Sequence, residues 1–220
     1  MKYSKRNSQM FNKAKAICRK HYEDALSKYG DTPQGVNWSS AESQFLRFQI
    51  LSEVDDLNGK RIHDVGCGLA HFADFLAKRG TNCEYVGSDI SLLMIQNAKK
   101  RLPHAQLHVA DILDDATQEW MSADYLFASG VFYVKGTNPR STWQQFVHAM
   151  LIRMFSLGKK GIAFNMLTTH VDYEESNLFY LSPAEALDWC IRNLGRRLVL
   201  RHDYPLWEYT MYVYKKPNRS

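Results

Sequence analysis

From Arg61 onward the chain alternates short β-rich runs with helical stretches, and no other feature restricts its fold as much. The strand candidates are Arg61–Val65, Tyr85–Ile90, Gln106–Val109, Tyr125–Ser129 and Gly161–Asn165, separated by helical patterns over Leu69–Arg79, Ser91–Arg101, a short Thr117–Met121 and Thr142–Leu157. Strands that alternate with helices are joined by right-handed crossovers, which predicts a largely parallel sheet with helices on both faces. The end of the chain reads differently. Ser182, Pro183 and Glu185 form a cap, an N1 proline and a capping-box glutamate for a helix stopping at Gly195, and two further strand-like runs follow, Arg197–Asp203 and Tyr209–Lys215. Their connection through Pro205 is too short for a parallel crossover and predicts an antiparallel hairpin. The expected fold is therefore α/β and Rossmann-like: a largely parallel seven-stranded sheet closed by an antiparallel C-terminal hairpin.

Two helices precede the sheet. Phe11, Ala14, Cys18, Tyr22, Ala25 and Tyr29 recur at steps of three and four, and Gly30 ends that pattern. After a loop with Pro33 and Gly35, Ser39 and Glu42 read as a capping box for a second helix through Phe45, Phe48 and Leu51. Residues 1–58 are expected to form an N-terminal helical lid on a core of residues 59–220, all within a single structural domain of 220 residues. The four cysteines lack metal-ligand or redox spacing, so neither a disulfide framework nor a metal site is expected. No apolar run reaches the ~18 residues of a membrane span, which makes a cytoplasmic protein, monomer or homodimer, the expectation. The formal charge of +5 is divided among short clusters at Lys99–Arg101, Lys159–Lys160 and Arg196–Arg197, and this dispersal counts against a nucleic-acid partner.

The chemistry concentrates where strands end. His63-Asp64-Val65-Gly66-Cys67-Gly68-Leu69-Ala70 lies at the first strand-to-helix turn, where glycine lets the backbone approach a ligand. Asp89 ends the second strand, where a carboxylate can accept from both hydroxyls of a ribose. Asp111 follows the third, within reach of an adenine amino group. Asp64, Asp89 and Asp111 thus fall on the carboxyl edge of one parallel sheet, the edge where open α/β folds bind ligands.

With these residues in place, the segment from Arg61 to about Gly130 resembles the cofactor-binding half of class I S-adenosylmethionine-dependent methyltransferases, and the resemblance extends to Lys215. It implies S-adenosyl-L-methionine as cofactor. It further implies that Gly66, Cys67 and Gly68 pass under the methionine moiety, with Asp64 fixing the loop and the amino group. Asp89 would hold the ribose, Ile90 and Met94 line the adenine, and Asp111 with the Ile112 backbone read its edge. Ser129 and Gly130 would pass near the transferable methyl. Arg47 is a candidate for the methionine carboxylate or a surface arginine, and Trp38 and Tyr22 are candidates for cofactor or substrate contact or for lid packing. Ala70 departs from the family, in which many members have a third glycine.

A dehydrogenase reading of the same turn needs a small residue where this chain has His71. Ser129-Gly130-Val131-Phe132 stands where nucleic-acid amino methyltransferases carry an Asn/Asp-Pro-Pro-Tyr/Phe tetrad. The expected activity is methyl transfer to a small molecule by in-line displacement. The alternatives are an RNA methyltransferase and a non-catalytic S-adenosylmethionine-binding module. The acceptor pocket is expected among the lid, Phe132–Tyr133 and the long segment Met166–Leu181, with Tyr133 as a candidate catalytic residue. His170 is either a general base or an ordinary solvated loop histidine.

Overall fold

A computed structural model describes residues 5–32, 35, 40–114 and 119–216. Helices α1 (Lys5–Tyr29) and α2 (Ala41–Ser52) precede β1 (Arg61–Val65), α3 (His71–Lys78), β2 (Glu84–Asp89), α4 (Leu92–Arg101) and β3 (Gln106–Val109). Then come β4 (Ala123–Ala128), α5 (Arg140–Leu157), β5 (Gly158–Leu167), α6 (Pro183–Asn193), β6 (Leu198–Arg201) and β7 (Glu208–Tyr214). The seven strands lie in the order β3-β2-β1-β4-β5-β7-β6. β1 to β5 pair in parallel, whereas β7 runs antiparallel to both β5 and β6. This is the expected sheet, with the second hairpin strand inserted beside β5.

Side-chain alternation along the central strands divides the core. Leu126 and Ala128 of β4 pack with Trp143, Val147 and Met150 of α5, while Tyr125 and Phe127 face Phe48 and Leu51 of α2 and Phe72 and Phe75 of α3. A strand buried on both faces is what a parallel sheet sandwiched by helices requires. His63 in β1 is a core histidine with both ring nitrogens engaged, Nδ1 with the Met121 carbonyl and Nε2 with the Ser88 hydroxyl, each at 2.8 Å. Burial holds it neutral, with its pKa lowered to about 4.

The ends of several elements differ from expectation for local reasons. Helix α3 begins at His71, not Leu69, because Ala70 sits at φ 58 in the left-handed region, the sole non-glycine there among the described residues. Helix α2 is capped by Ser40, whose hydroxyl accepts from the Ser43 amide at 3.1 Å; Ser39 lies outside the described residues. Ser182 precedes α6 with no side-chain cap bond, leaving Pro183 to set the first turn. Of the short helix expected over Thr117–Met121, the described part is a 3-10 turn at Glu119–Met121.

Two basic clusters that are separate in sequence meet at the sheet edge opposite the glycine turn. The Lys215 amide donates to the Lys160 carbonyl and the Tyr214 amide to the Arg197 carbonyl, which brings the start of β5, the approach to β6 and the end of β7 together. No helix among the described residues is long and apolar enough to cross a membrane.

Candidate functional site

At the carboxyl edge of β1, β2 and β4 lies one cavity, and the glycine turn forms its floor. Gly66 (φ 71) and Gly68 (φ 52) both occupy the left-handed region, where a side chain is strained. A Cβ on Gly66 would also stand 2.6 Å from Cγ2 of Val131. The amides of Gly66 and Cys67 donate to the Ser88 carbonyl at 2.7 and 3.0 Å, and the Gly68 amide donates to Oδ2 of Asp89 at 3.0 Å. Asp89 takes the Ser91 amide on Oδ1 at 2.8 Å. Each oxygen retains acceptor capacity toward the cavity that it lines.

Asp64 also lines the cavity and is 3% exposed. Tyr85 donates to its Oδ2 at 2.7 Å, yet burial outweighs that bond and pushes the carboxyl up to about 7. Burial raises Asp89 as well, against the pull of the Ser91 and Gly68 amides. Two desolvated carboxyls facing one cavity favour a ligand that brings hydrogen-bond donors or positive charge. The third acid, Asp111, accepts the Leu113 amide at 2.9 Å and an ion pair from Lys15 of α1. Ile90, Met94 and Ile112 supply apolar walls beside these acids. Ser129 and Gly130 complete the floor at the end of β4; the Ser129 hydroxyl is buried with no hydrogen-bond partner among the described residues.

Helix α1 covers the cavity with Lys15, Cys18, Arg19 and Tyr22. It is anchored by Tyr22, whose hydroxyl donates to the Gly130 carbonyl at 3.2 Å, and by Glu23, which accepts from the Ser91 hydroxyl at 2.7 Å. Gln44 and Phe48 of α2 and His71 of α3 form another wall, while Phe146 and Met150 of α5 lie among the remaining lining residues. His71 is bonded to Gln44 at 3.1 Å and to Asp31 at 2.8 Å, and burial lowers its pKa.

The structure therefore gathers Asp64, Gly66, Cys67, Gly68, Asp89, Ile90, Met94, Asp111, Ile112 and Ser129 around one space. Other expected residues fall elsewhere. Arg47 is neither at the surface nor among the lining residues; it is 9% exposed and donates from Nε to Oε2 of Glu208 at 2.7 Å. Tyr133 is buried against that same pair; burial raises its phenol far above the ordinary range, Glu208 adds to the rise and Arg47 opposes it. His170 is exposed on the loop after β5, its amide bonded to the Thr168 hydroxyl at 3.2 Å, and it does not border the cavity. Trp38 lies outside the described residues. Lys15, Cys18 and Arg19 had no motif to announce them. They sit near Tyr22 on α1, and the helical step of three to four between Lys15, Cys18 and Tyr22 was the available signal.

Residues 63–151 match a family model described as a methyltransferase domain. A Mycobacterium tuberculosis protein named "Putative methyltransferase Rv1506c" is 33% identical over 169 residues, covering 76% of this chain and 98% of that protein. A trans-aconitate 2-methyltransferase of Afipia carboxidovorans is 29% identical over 109 residues, or 44% of this chain, and the match spans 40% of that enzyme's length. Among solved structures, magnesium protoporphyrin IX methyltransferase from Synechocystis PCC 6803, crystallised with bound SAM, superimposes with a TM-score of 0.62 at 16% identity over 92% of this chain and 97% of that one. The chain belongs to the methyltransferase family.

Proposed function

We propose that the chain transfers a methyl group from S-adenosyl-L-methionine to a small organic molecule. The observation that carries this reading is the ring of Asp64, Asp89 and Asp111 around one cavity floored by the Gly66–Gly68 turn. The residues fit the cofactor's chemistry. Asp64, buried with its carboxyl raised, is relieved by an ammonium group. Asp89, with free acceptor capacity on both oxygens, suits two ribose hydroxyls. Ile90, Met94 and Ile112 suit a flat apolar ring, and Asp111 with the Ile112 backbone suits its polar edge. Bound S-adenosylmethionine supplies a methyl group already activated on a sulfonium. The chain's own part is to align, to shield from water and to hold Gly130 at the reacting end.

Small size of the acceptor is supported by α1 lying across the cavity, which favours reading residues 1–58 as a lid on a core of residues 59–220. It is also supported by the placement of two basic clusters at the far edge of the sheet, where they form no path to the site. Two of the similar proteins are named for small-molecule acceptors, trans-aconitate and magnesium protoporphyrin IX. Calorimetric titration of S-adenosylhomocysteine into the wild type and Asp89→Ala tests the cofactor assignment. Loss of the carboxylate leaves buried donors unpaired, and a weakening of about tenfold or more is expected. Equal affinity in a folded Asp89→Ala would overturn it. Radiolabelled methyl incorporation into a panel of small organic acids, with tRNA as the competing substrate, tests the acceptor class, and incorporation into tRNA alone would reverse that part of the reading.

A further inference from the structure

Glu208 of β7 has no exposed surface, and its partner Arg47 comes from α2, 161 positions away. Desolvating two such ions costs several kcal/mol each, so an apolar pair of similar volume would stabilise the fold as well or better. The pair makes a different contribution, which is to orient an amide. Oε1 of Glu208 accepts from Nδ2 of Asn165 at 3.2 Å, and Oδ1 of Asn165 accepts the Gly130 amide at 2.8 Å. A carboxylate can only accept, so it turns the Nδ2 end of Asn165 toward itself and leaves Oδ1 facing Gly130. Gly130, at φ 70, lines the cavity, and its carbonyl receives the Tyr22 hydroxyl of α1. The backbone is thus held on one side of this residue by the core and on the other by the helix over the cavity.

We propose that Asn165 is a positioning residue: set by the Arg47–Glu208 pair, it holds Gly130 on the cavity floor and thereby fixes the point onto which Tyr22 closes α1. The inference rests on the methyl-transfer reading only in its choice of S-adenosylhomocysteine as probe. Calorimetry compares the wild type, Asn165→Ala, Tyr22→Phe and the double variant, with thermal unfolding as a check on folding. Each single change weakens binding about fivefold, as for one lost hydrogen bond. The double variant binds no worse than the weaker single, because Tyr22 has no fixed docking point once Gly130 is released. Multiplication of the two effects to about 25-fold, the behaviour of independent sites, would overturn the relay, as would wild-type affinity in Asn165→Ala.

Should Asn165→Ala fail to fold, Asn165→Asp keeps an acceptor for Gly130 but sets a carboxyl against Glu208. Its affinity, taken as a ratio to wild type at each pH, then approaches one at pH 5.5, where the pair shares a proton, and falls at pH 8. A ratio that stays at one throughout overturns the relay. Hydrogen exchange on the unliganded chain needs no ligand at all. Faster exchange in α1 around Tyr22, with α6 unchanged, is expected of whichever Asn165 variant folds, and unaltered α1 exchange overturns the proposal. A wild type that binds no S-adenosylhomocysteine, together with an Asn165 variant that shows this exchange pattern against it, would defeat the functional reading and leave the relay standing.

Discussion

The carboxyl edge of the sheet has two halves that treat buried acids in opposite ways. Beside β1, β2 and β3, Asp89 and Asp111 accept backbone amides from two residues onward, and Asp89 and Asp64 each take a further bond from 21 residues away. Beside β4, β5 and β7, Glu208 is held by an arginine 161 residues distant and an asparagine 43 residues distant. The first half leaves its carboxylates receptive, with strain and desolvation that a ligand can relieve. In the second half the acid's oxygens are engaged from within by Arg47 and Asn165, which counter its burial without cancelling it, and it serves as scaffold. A site built this way separates recognition from support, and the two halves meet at Ser129 and Gly130.

The largest effect should come from breaking the scaffold half. Arg47→Met removes the only counter-charge paired with Glu208 among the described residues and leaves a carboxylate with no exposed surface. A loss of about 3–5 kcal/mol in unfolding free energy is expected from urea titration. Arg201→Ala removes an arginine that pairs with Glu53 and Asp203 and is 28% exposed, and it should cost about 1 kcal/mol or less. Comparable losses in the two variants would show that the Arg47 pair is not the buried support described above.

Next in size is a change to the receptive half that spares the core. Gly68→Val places a β-branched side chain at φ 52 within the cavity floor and displaces the amide that Asp89 holds. S-adenosylhomocysteine affinity should fall by about a hundredfold or more, equivalent to about 2.7 kcal/mol. Retention of binding would reduce the glycine loop to a simple turn.

The same contrast explains what could be read from the sequence. The receptive half is made by short-range geometry, so the strand ends, the Gly66–Gly68 turn and the three acids announce themselves in order. Ala70 shows the limit even there: a left-handed alanine shortens α3, and composition gives no sign of it. The scaffold half depends on strand order. β7 lies between β5 and β6, which puts Glu208 beside Asn165 and within reach of α2. No periodicity in Phe45–Leu51 distinguishes an Arg47 that faces a ligand from one that faces Glu208. His170 was suggestive by residue type alone, and its exposure on the loop takes it away from the cavity.

A third prediction concerns the titration of Asp64. Burial raises its carboxyl to about 7 in the fold, against about 3.9 for an unperturbed aspartate. Between those pH values the folded chain holds a proton that the unfolded chain has released, so stability falls as pH rises from about 4 to about 7 and is level above. Asp64→Asn removes the charge and keeps an acceptor for Tyr85. Its urea midpoint should exceed that of wild type above pH 7, with the difference shrinking toward pH 4. Ligand binding should move the other way. An ammonium needs the ionised carboxylate, so wild-type affinity for S-adenosylhomocysteine should fall below pH 7 by up to tenfold per unit, whereas Asp64→Asn should bind weakly with little pH dependence. A destabilised Asp64→Asn, or affinity level between pH 5 and 8, would mean that Asp64 already has its charge satisfied.

The smallest expected effect is at Lys15, which forms the one ion pair, among the described residues, between α1 and the acids of the receptive half. Both side chains are 15% exposed, so the pair is partly screened, and Lys15→Met keeps most of the aliphatic stem in place. Asp111 retains the Leu113 amide at 2.9 Å, which preserves its loop, and α1 retains Tyr22 on Gly130 and Glu23 on Ser91. Affinity for S-adenosylhomocysteine should therefore drop only about two- to threefold at low salt. The difference from wild type should largely vanish near 1 M salt, where the screening length is about 3 Å. A loss as large as that of Gly68→Val would mean that the receptive half relies on a cross-helix charge pair as much as on its own backbone, and the division between the two halves would then have to be redrawn with α1 on the side of the scaffold.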